Sequence, residues 1–262
     1  MAGSPKPLPP SGTCAIGIDV GGTKIAAGLV TFPGLQISAE HRIPTPKPCD
    51  GAQLLRAVED IAFALADQAH RRRLHIEAVG LGLCEIVDRD GNIRSGNAIP
   101  WMGLPVKEKL RRIAPVTVEA DVRAGALAEA RAGAARDFRI FLYVTIGTGI
   151  SCCLMQDGKP YAGARGATGT LASSPLPVEV DRFSATAPPT FEDLGSGPAL
   201  VARFRKSGGQ ADRAEDVLAA AARGDLQAIS IVRQGAQALG AAIGWAVNVL
   251  DPEAVVLGGG LG

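Results

Sequence analysis

The 262-residue chain has almost no surplus of charge, with 27 Lys and Arg against 26 Asp and Glu for a net of +1. That balance excludes a nucleic-acid surface built on bulk positive charge, and the lack of a long like-charge block excludes a charged tail. The first dozen residues, MAGSPKPLPPSG, lack the apolar core of a signal peptide and read as a flexible, Pro-rich leader. No apolar run is pure enough to span a membrane. The most hydrophobic candidate helix, about residues 225–250, still contains Arg233, Gln234, Gln237 and Asn248, which suits a core helix better than a membrane span. A cytoplasmic location is therefore the default expectation. Cysteine is sparse and odd in number: Cys14, Cys49, Cys84, Cys152 and Cys153, in a chain too large to need covalent staples. They read as reduced, mostly buried thiols. Cys152 and Cys153 are neighbours on an expected strand, so their side chains point to opposite faces and do not share a metal.

What is present is a large core and a recurring kind of turn. Hydrophobic residues make up 47% of the chain, and the length suits two modest lobes better than one. A β-branched run at 16–20 predicts a buried strand, Gly21-Gly22 interrupts it, and 24–30 resumes as a second apolar strand. The turn carries Asp19 at its entry, then Gly21, Gly22, Thr23 and Lys24. This set suits a phosphate chain, because glycines let backbone N–H groups approach anionic oxygens and a carboxylate can hold hydrated Mg²⁺. The G-x-x-x-x-G-K-[ST] spacing of a Walker loop is absent, and a glycine hairpin with a surface lysine is the plainer alternative. Similar turns return twice. Residues 143–150, YVTIGTGI, deliver Gly147, Thr148 and Gly149 before another strand at 151–155, and residues 253–260, EAVVLGGG, deliver Gly258, Gly259 and Gly260.

Between these turns the pattern predicts a strand at 35–43, a helix at about 51–73, a central strand at 76–83, a strand at 115–119 and a helix at 121–135. Helices at about 198–206, 211–223 and 225–250 and a strand at 253–257 complete the chain. The Arg71-Arg72-Arg73 tail of the first helix complements a helix C-terminus rather than forming a nucleic-acid patch. Glu85 follows the central strand, where a carboxylate is costly to bury unless something binds it, so it either lines a substrate pocket or sits on a surface turn. Asp121 falls in the first turn of its helix, where an N-cap role is available.

DVGGTK, IGTGI and VNVLDPEAVVLGGG, in that order, make the chain from about Ala15 to its last residue resemble the ROK family (repressors, open reading frames and sugar kinases) of the actin, sugar-kinase and Hsp70-like superfamily. The resemblance implies an α/β fold of two ribonuclease-H-like lobes, each a mixed sheet flanked by helices, as in actin-like ATPases. It places the lobes at 13–120 and 121–262 after the leader at 1–12. Similar proteins continue past the final glycine turn, so the end at Gly262 reads as an early stop. It further implies ATP as donor, with Gly21 to Lys24 and Gly147 to Gly149 holding phosphates, Gly258 to Gly260 packing on adenosine, and Asp19 anchoring Mg²⁺ through water. Asp121 takes the place of the family's catalytic base. Asn97, ahead of the Trp that frames the family's sugar pocket, and Glu192 correspond to sugar contacts; a turn asparagine and a first-turn helix carboxylate are their plainer readings.

The departures concern the acceptor. Cys84-Glu85 stands where the family places Pro-Gly or Gly-Gly, Ala120 replaces its asparagine, and Thr170 and Ser173 replace its sugar-binding glutamate and its histidine. Residues 174–190 contain neither Cys nor His, so the family's zinc site is not expected. The implied function is an ATP-dependent kinase for a hydroxyl of a sugar or sugar-like acceptor, with an amino sugar or cyclitol favoured over plain glucose. A non-catalytic nucleotide or sugar sensor of the same fold is the alternative, and a ROK-type regulator would need a winged helix-turn-helix ahead of this region. The expected partner is a small molecule, with no nucleic acid and no membrane. Similar kinases are often dimers, so a homodimer is also an expectation.

Overall fold

Every second side chain from Cys14 to Val20 is buried along β1 (Gly12–Val20), the two-residue period of a strand with one face on the core. The computed structural model describes residues 12–171, 174 and 189–262; the leader before Gly12, Ala172, Ser173 and the residues at 175–188 lie outside the described residues. Two compact units are present. The first runs through Ala124 and takes in Ala164–Gly166, and the second comprises Gly125–Gly163 and Ala167–Gly262.

In the first unit β1 pairs antiparallel with β2 (Lys24–Phe32), which pairs antiparallel with β3 (Gln36–Pro44). On its other side β1 pairs parallel with β4 (Leu74–Leu83), and β4 with β5 (Val116–Ala120), giving the mixed order β3-β2-β1-β4-β5. Helix α1 (Gly51–Arg71) crosses this sheet and buries Leu54, Leu55, Val58, Ile61, Ala62, Leu65 and Ala69, a stripe at helical spacing. Fully burying each large aliphatic side chain contributes about 1.5–3 kcal/mol. Asp50 caps α1 by accepting from Ala52 N at 2.7 Å and Gln53 N at 3.2 Å. At the other end Arg72 donates to the Ser38 carbonyl at 2.7 Å and Arg73 turns left-handed at φ 56°, so the arginine tail closes the helix. A short helix α2 (Val106–Leu110) precedes β5 and was not foreseen, being only five residues. Helix α3 (Asp121–Ala132) stops before the expected residue 135, because Gly133 follows and the Glu129 carboxylate takes the Ala134 amide at 2.8 Å.

The second unit contains β6 (Ile140–Ile146), β7 (Ile150–Gln156), β8 (Lys159–Pro160) and β9 (Ala254–Gly258) in the order β8-β7-β6-β9. Its pairings are antiparallel, antiparallel and parallel, which repeats β3-β2-β1-β4 of the first unit in order and direction. Helices α4 (Phe191–Gly195), α5 (Gly197–Lys206), α6 (Ala214–Ala222) and α7 (Leu226–Leu250) complete it. The core of this unit joins Leu142, Val144, Ile146 and Ile150 of the sheet to Leu239 of α7, with a second cluster of Leu200, Val201, Phe204, Val217 and Ile231. Gly235 lets α7 approach α4 closely: a Cβ there would stand 2.8 Å from the Leu194 carbonyl oxygen. Among the described residues no helix is long and apolar enough to cross a membrane. Both sheets are mixed and flanked by helices, as the two-lobed α/β expectation required.

Candidate active site

Parallel pairing fixes the heart of the first unit. Val20 lies opposite Leu83, and Leu83 opposite Ala120, so β1, β4 and β5 end in register. The next residues, Gly21, Cys84 and Asp121, therefore leave the sheet side by side at its carboxyl edge, the position where open α/β sheets present functional groups. Asp19, one residue inside the end of β1, is paired with Gly82. The β1–β2 turn closes tightly, with Gly21 N donating to the Lys24 carbonyl at 3.0 Å, and leaves Thr23 and Lys24 exposed.

The carboxylates at this edge act on one another. Asp121 accepts from the amide of Val122 at 2.6 Å, the residue directly after it. An N-cap would instead receive the amides two or three residues on. Burial pushes the Asp121 carboxyl up to about 6, against the lowering by the Val122 amide and with further raising by the charges of Asp19 and Glu85. Asp19 is open to solvent, yet the protein around the strand end partly desolvates its carboxyl and raises it, opposed by the Lys24 charge. Cys84 is pushed up to about 12 by burial and by the nearby Asp121 and Glu85, although the Gly22 amide hydrogen-bonds it. It is an inert thiol at neutral pH.

Glu85 is neither a surface-turn carboxylate nor open to contact on all sides. It is 7% exposed, and its Oε1 accepts from Ala98 N at 2.6 Å and Ile99 N at 2.7 Å. Its Oε2 accepts from the Ser95 hydroxyl. The surface-turn alternative is thereby corrected: three donors from residues 95–99 offset the desolvation cost. Asn97 lies exposed on that same segment. Trp101 is fully buried and donates from Nε1 to the Gly51 carbonyl at 2.9 Å, so it is a core anchor at the start of α1 and not a side chain presented to a ligand.

In the second unit Gly147, Thr148 and Gly149 form the β6–β7 turn, with Gly147 N donating to the Gly149 carbonyl at 2.9 Å. Parallel pairing of β9 with β6 carries Gly258 to Gly260 to the same sheet edge, where a Cβ on Gly147 would lie 3.8 Å from Gly260 N. The two glycine motifs, more than a hundred residues apart in the chain, thus form one stretch of bare backbone. Glu192 sits in the first turn of α4 and also reaches this turn, its Oε2 accepting from Ile150 N at 3.2 Å and standing 3.1 Å from a Cβ on Gly149. Thr170 is exposed, with its hydroxyl donating to the Ala167 carbonyl at 3.5 Å.

Two anchoring residues escaped the sequence reading. Buried Thr45, the residue after β3, donates its hydroxyl to the Gly21 carbonyl at 2.6 Å and its amide to the Thr23 carbonyl at 3.0 Å, fixing the first glycine turn. Arg123, 2% exposed, pairs with Glu119 and donates to the Val87 carbonyl at 2.5 Å and the Gly166 carbonyl at 2.8 Å. Only its spacing of four from Glu119 was visible beforehand. Among the described residues no group of three or more His, Cys, Asp or Glu is arranged to hold a metal.

A family model described as ROK family matches residues 15–262. The glucokinase of Streptomyces coelicolor is 32% identical over 267 residues, covering 94% of this chain and 81% of the relative. N-acetyl-D-glucosamine kinase of Escherichia coli is 29% identical over 258 residues, covering 94% of this chain and 83% of the relative. Among solved structures, a ROK family glucokinase from Streptomyces griseus in complex with glucose and AMPPNP is 27% identical with a TM-score of 0.78, covering 95% of this chain and 83% of that one.

Proposed function

The chain belongs to the ROK family, and from that premise we propose that it is an ATP-dependent carbohydrate kinase that phosphorylates a hydroxyl of a sugar or sugar-like acceptor. The observation that carries this reading is Asp121: a carboxylate at the carboxyl edge of three parallel strands, half-buried, with its proton affinity raised to about 6. A general base works best with an affinity near the operating pH, and Asp121 is tuned toward that range.

Bound ATP would supply the phosphoryl group and Mg²⁺ the positive charge that offsets the phosphates. The residues fit both. Hydrated Mg²⁺ usually takes one or two protein carboxylates and keeps its waters, which suits solvent-open Asp19. The bare backbone at Gly147 to Gly149 and Gly258 to Gly260 suits phosphate and adenine, and Gly21 to Lys24 offers amides and a cation to phosphate oxygens. Asp121 accepts a hydrogen bond from the acceptor hydroxyl, orients it and takes its proton. Asn97 and Glu192 serve as acceptor contacts, Glu192 from its place beside the Gly149 turn.

For the acceptor we favour an amino sugar or a cyclitol over plain glucose. The support is the altered residue set: Glu85 where similar proteins have glycine, Ala120 for asparagine, and Thr170 and Ser173 for glutamate and histidine. Glu85 bears on the acceptor indirectly, by holding residues 95–99 with its oxygens, and not through a vacant contact of its own. The interaction is with a small molecule, with neither nucleic acid nor membrane as partner.

The test is coupled ADP release with Mg-ATP across hexoses, amino sugars and cyclitols, for this chain and for Asp121→Asn. Acceptor-dependent turnover that falls by about two or more orders of magnitude in the variant supports the kinase and names its substrate class. ATP binding without turnover on any acceptor would assign the chain to the sensor alternative, and glucose turned over as well as every amino sugar and cyclitol would remove the acceptor preference.

A further inference from the structure

We propose that Glu85 is a positioning residue that clamps residues 95–99 from beneath, and so sets where exposed Asn97 stands at the carboxyl edge of the parallel strands. The geometry is a closed ring. Glu85 Oε1 receives the amides of Ala98 and Ile99 at 2.6 and 2.7 Å, and Oε2 receives the Ser95 hydroxyl. Ser95 Oγ in turn accepts from the amide of Ile86, the residue after Glu85, at 2.8 Å. One carboxylate therefore ties both ends of the segment to the end of β4, and Ser95 locks the carboxylate in place.

The segment is held from other sides as well. Ile99 is fully buried, its carbonyl accepts from Trp101 N at 2.7 Å, and the Ala98 methyl would be 3.6 Å from a Cβ on Gly22 of the first glycine turn. Asn97, between Gly96 and Ala98, is exposed and takes its position from these neighbours. A glycine at residue 85 could supply none of the three acceptor contacts. Charge-assisted hydrogen bonds to buried carboxylates are among the stronger polar contacts, so loss of this clamp loosens the segment well before it unfolds the unit.

The consequence for the acceptor rests on the kinase reading above; the clamp itself does not. Both are tested on the full chain with Glu85→Ala and Glu85→Gln. Hydrogen exchange of the Ala98 and Ile99 amides is expected to quicken at least about tenfold in Glu85→Ala and to stay within about threefold of the parent in Glu85→Gln, whose amide oxygen still accepts both N–H groups. With the acceptor turned over fastest in the panel, Glu85→Ala is expected to raise the acceptor KM about tenfold with the ATP KM within twofold, and Glu85→Gln to leave both near the parent. Unchanged exchange at the two amides in Glu85→Ala overturns the clamp. So does an acceptor KM raised equally by both variants while the amides stay protected, which would make Glu85 a direct ligand contact. Should Glu85→Ala fail to fold, Ser95→Ala removes the lock on Oε2, and exchange at Ala98 and Ile99 must then rise at least about threefold. A chain with no turnover but clamped amides counts against the kinase and leaves the clamp standing.

Discussion

Asp19 and Asp121 stand on either side of the bare backbone of Gly82: a Cβ there would meet Asp19 Oδ1 at 3.6 Å and the Asp121 Cα at 3.8 Å. The pairing of Asp19 with Gly82 and of Gly82 with Glu119 makes this approach a result of strand register and not of loop conformation. Two carboxylates placed so close divide their work according to environment. Asp19 is open to solvent beside the Lys24 charge, whereas Asp121 is half-buried and feels Asp19 and Glu85.

Asp121→Asn separates a catalytic carboxylate from a helix cap. The folded-state pKa of about 6 lies above the ordinary range of an aspartate in an unfolded chain, so the folded protein binds this proton more tightly. The ionised group thus opposes folding fully above about pH 6, and the opposition is relieved as pH falls through that value toward 4. The neutral variant is expected to be more stable than the parent by roughly 1–3 kcal/mol at pH 8, with the difference gone near pH 4. Urea denaturation at both pH values measures this. A variant less stable at pH 8 would mean the charge serves the helix and not the chemistry.

Asp19→Asn is expected to raise the Mg²⁺ concentration needed for half-maximal turnover by about tenfold or more, since a neutral amide is a far poorer outer-sphere partner for hydrated Mg²⁺. Removing its charge also lowers the proton affinity of Asp121, so the acid limb of the pH–kcat/KM profile, expected at about 6 in the parent, moves to lower pH. A profile that stays in place while the metal requirement rises would separate the two roles.

Much of this was legible because period and glycine are local signals. Alternation along β1, the helical stripe of α1 and the three strand-glycine units each declare themselves within a dozen residues, and all three turns fall at sheet edges. What the chain did not show was which polar groups satisfy one another across long separations. Glu85 reads as a misplaced carboxylate until the amides of residues 98 and 99 are seen folded back onto it. Trp101 reads as a pocket wall until its indole is found on the Gly51 carbonyl, fifty residues away. Thr45 gives no sign at all, since a threonine before a proline has many uses; its role exists only because β3 runs back beside the first turn.

Arg123 tests the buried framework. Its guanidinium holds Glu119, the Val87 carbonyl and the Gly166 carbonyl, and Gly166 packs so closely that a Cβ would collide with the Val87 carbonyl. Arg123→Met keeps length and apolar bulk but strands a carboxylate and two carbonyls. A loss of about 2–4 kcal/mol in chemical denaturation is expected, chiefly from the two carbonyls left without a donor, since Glu119 is partly exposed and still accepts from Ala120 N. A loss below about 1 kcal/mol would show that water replaces the guanidinium without difficulty.

Gly259 and Gly260 are neighbours in one turn but are glycine for different reasons, and alanine at each position tells them apart. Gly259 has φ +84°, and its Cβ would run into the Ile146 backbone, so Gly259→Ala must distort the turn. It is expected to cost about 1–3 kcal/mol of stability and to weaken ATP binding together with it. At Gly260 a Cβ meets nothing within 4 Å and φ is not in the left-handed region, so Gly260→Ala leaves folding unchanged. Among the described residues no contact explains a glycine there. If the adenine ring packs on this backbone, the added methyl raises the Kd for ATP by about tenfold at unaltered Tm, because the ring loses its flat approach. Calorimetric titration of both variants with ATP decides it: a Gly260→Ala chain that binds ATP as the parent does would move the adenine away from this turn, whatever Gly259→Ala does to stability.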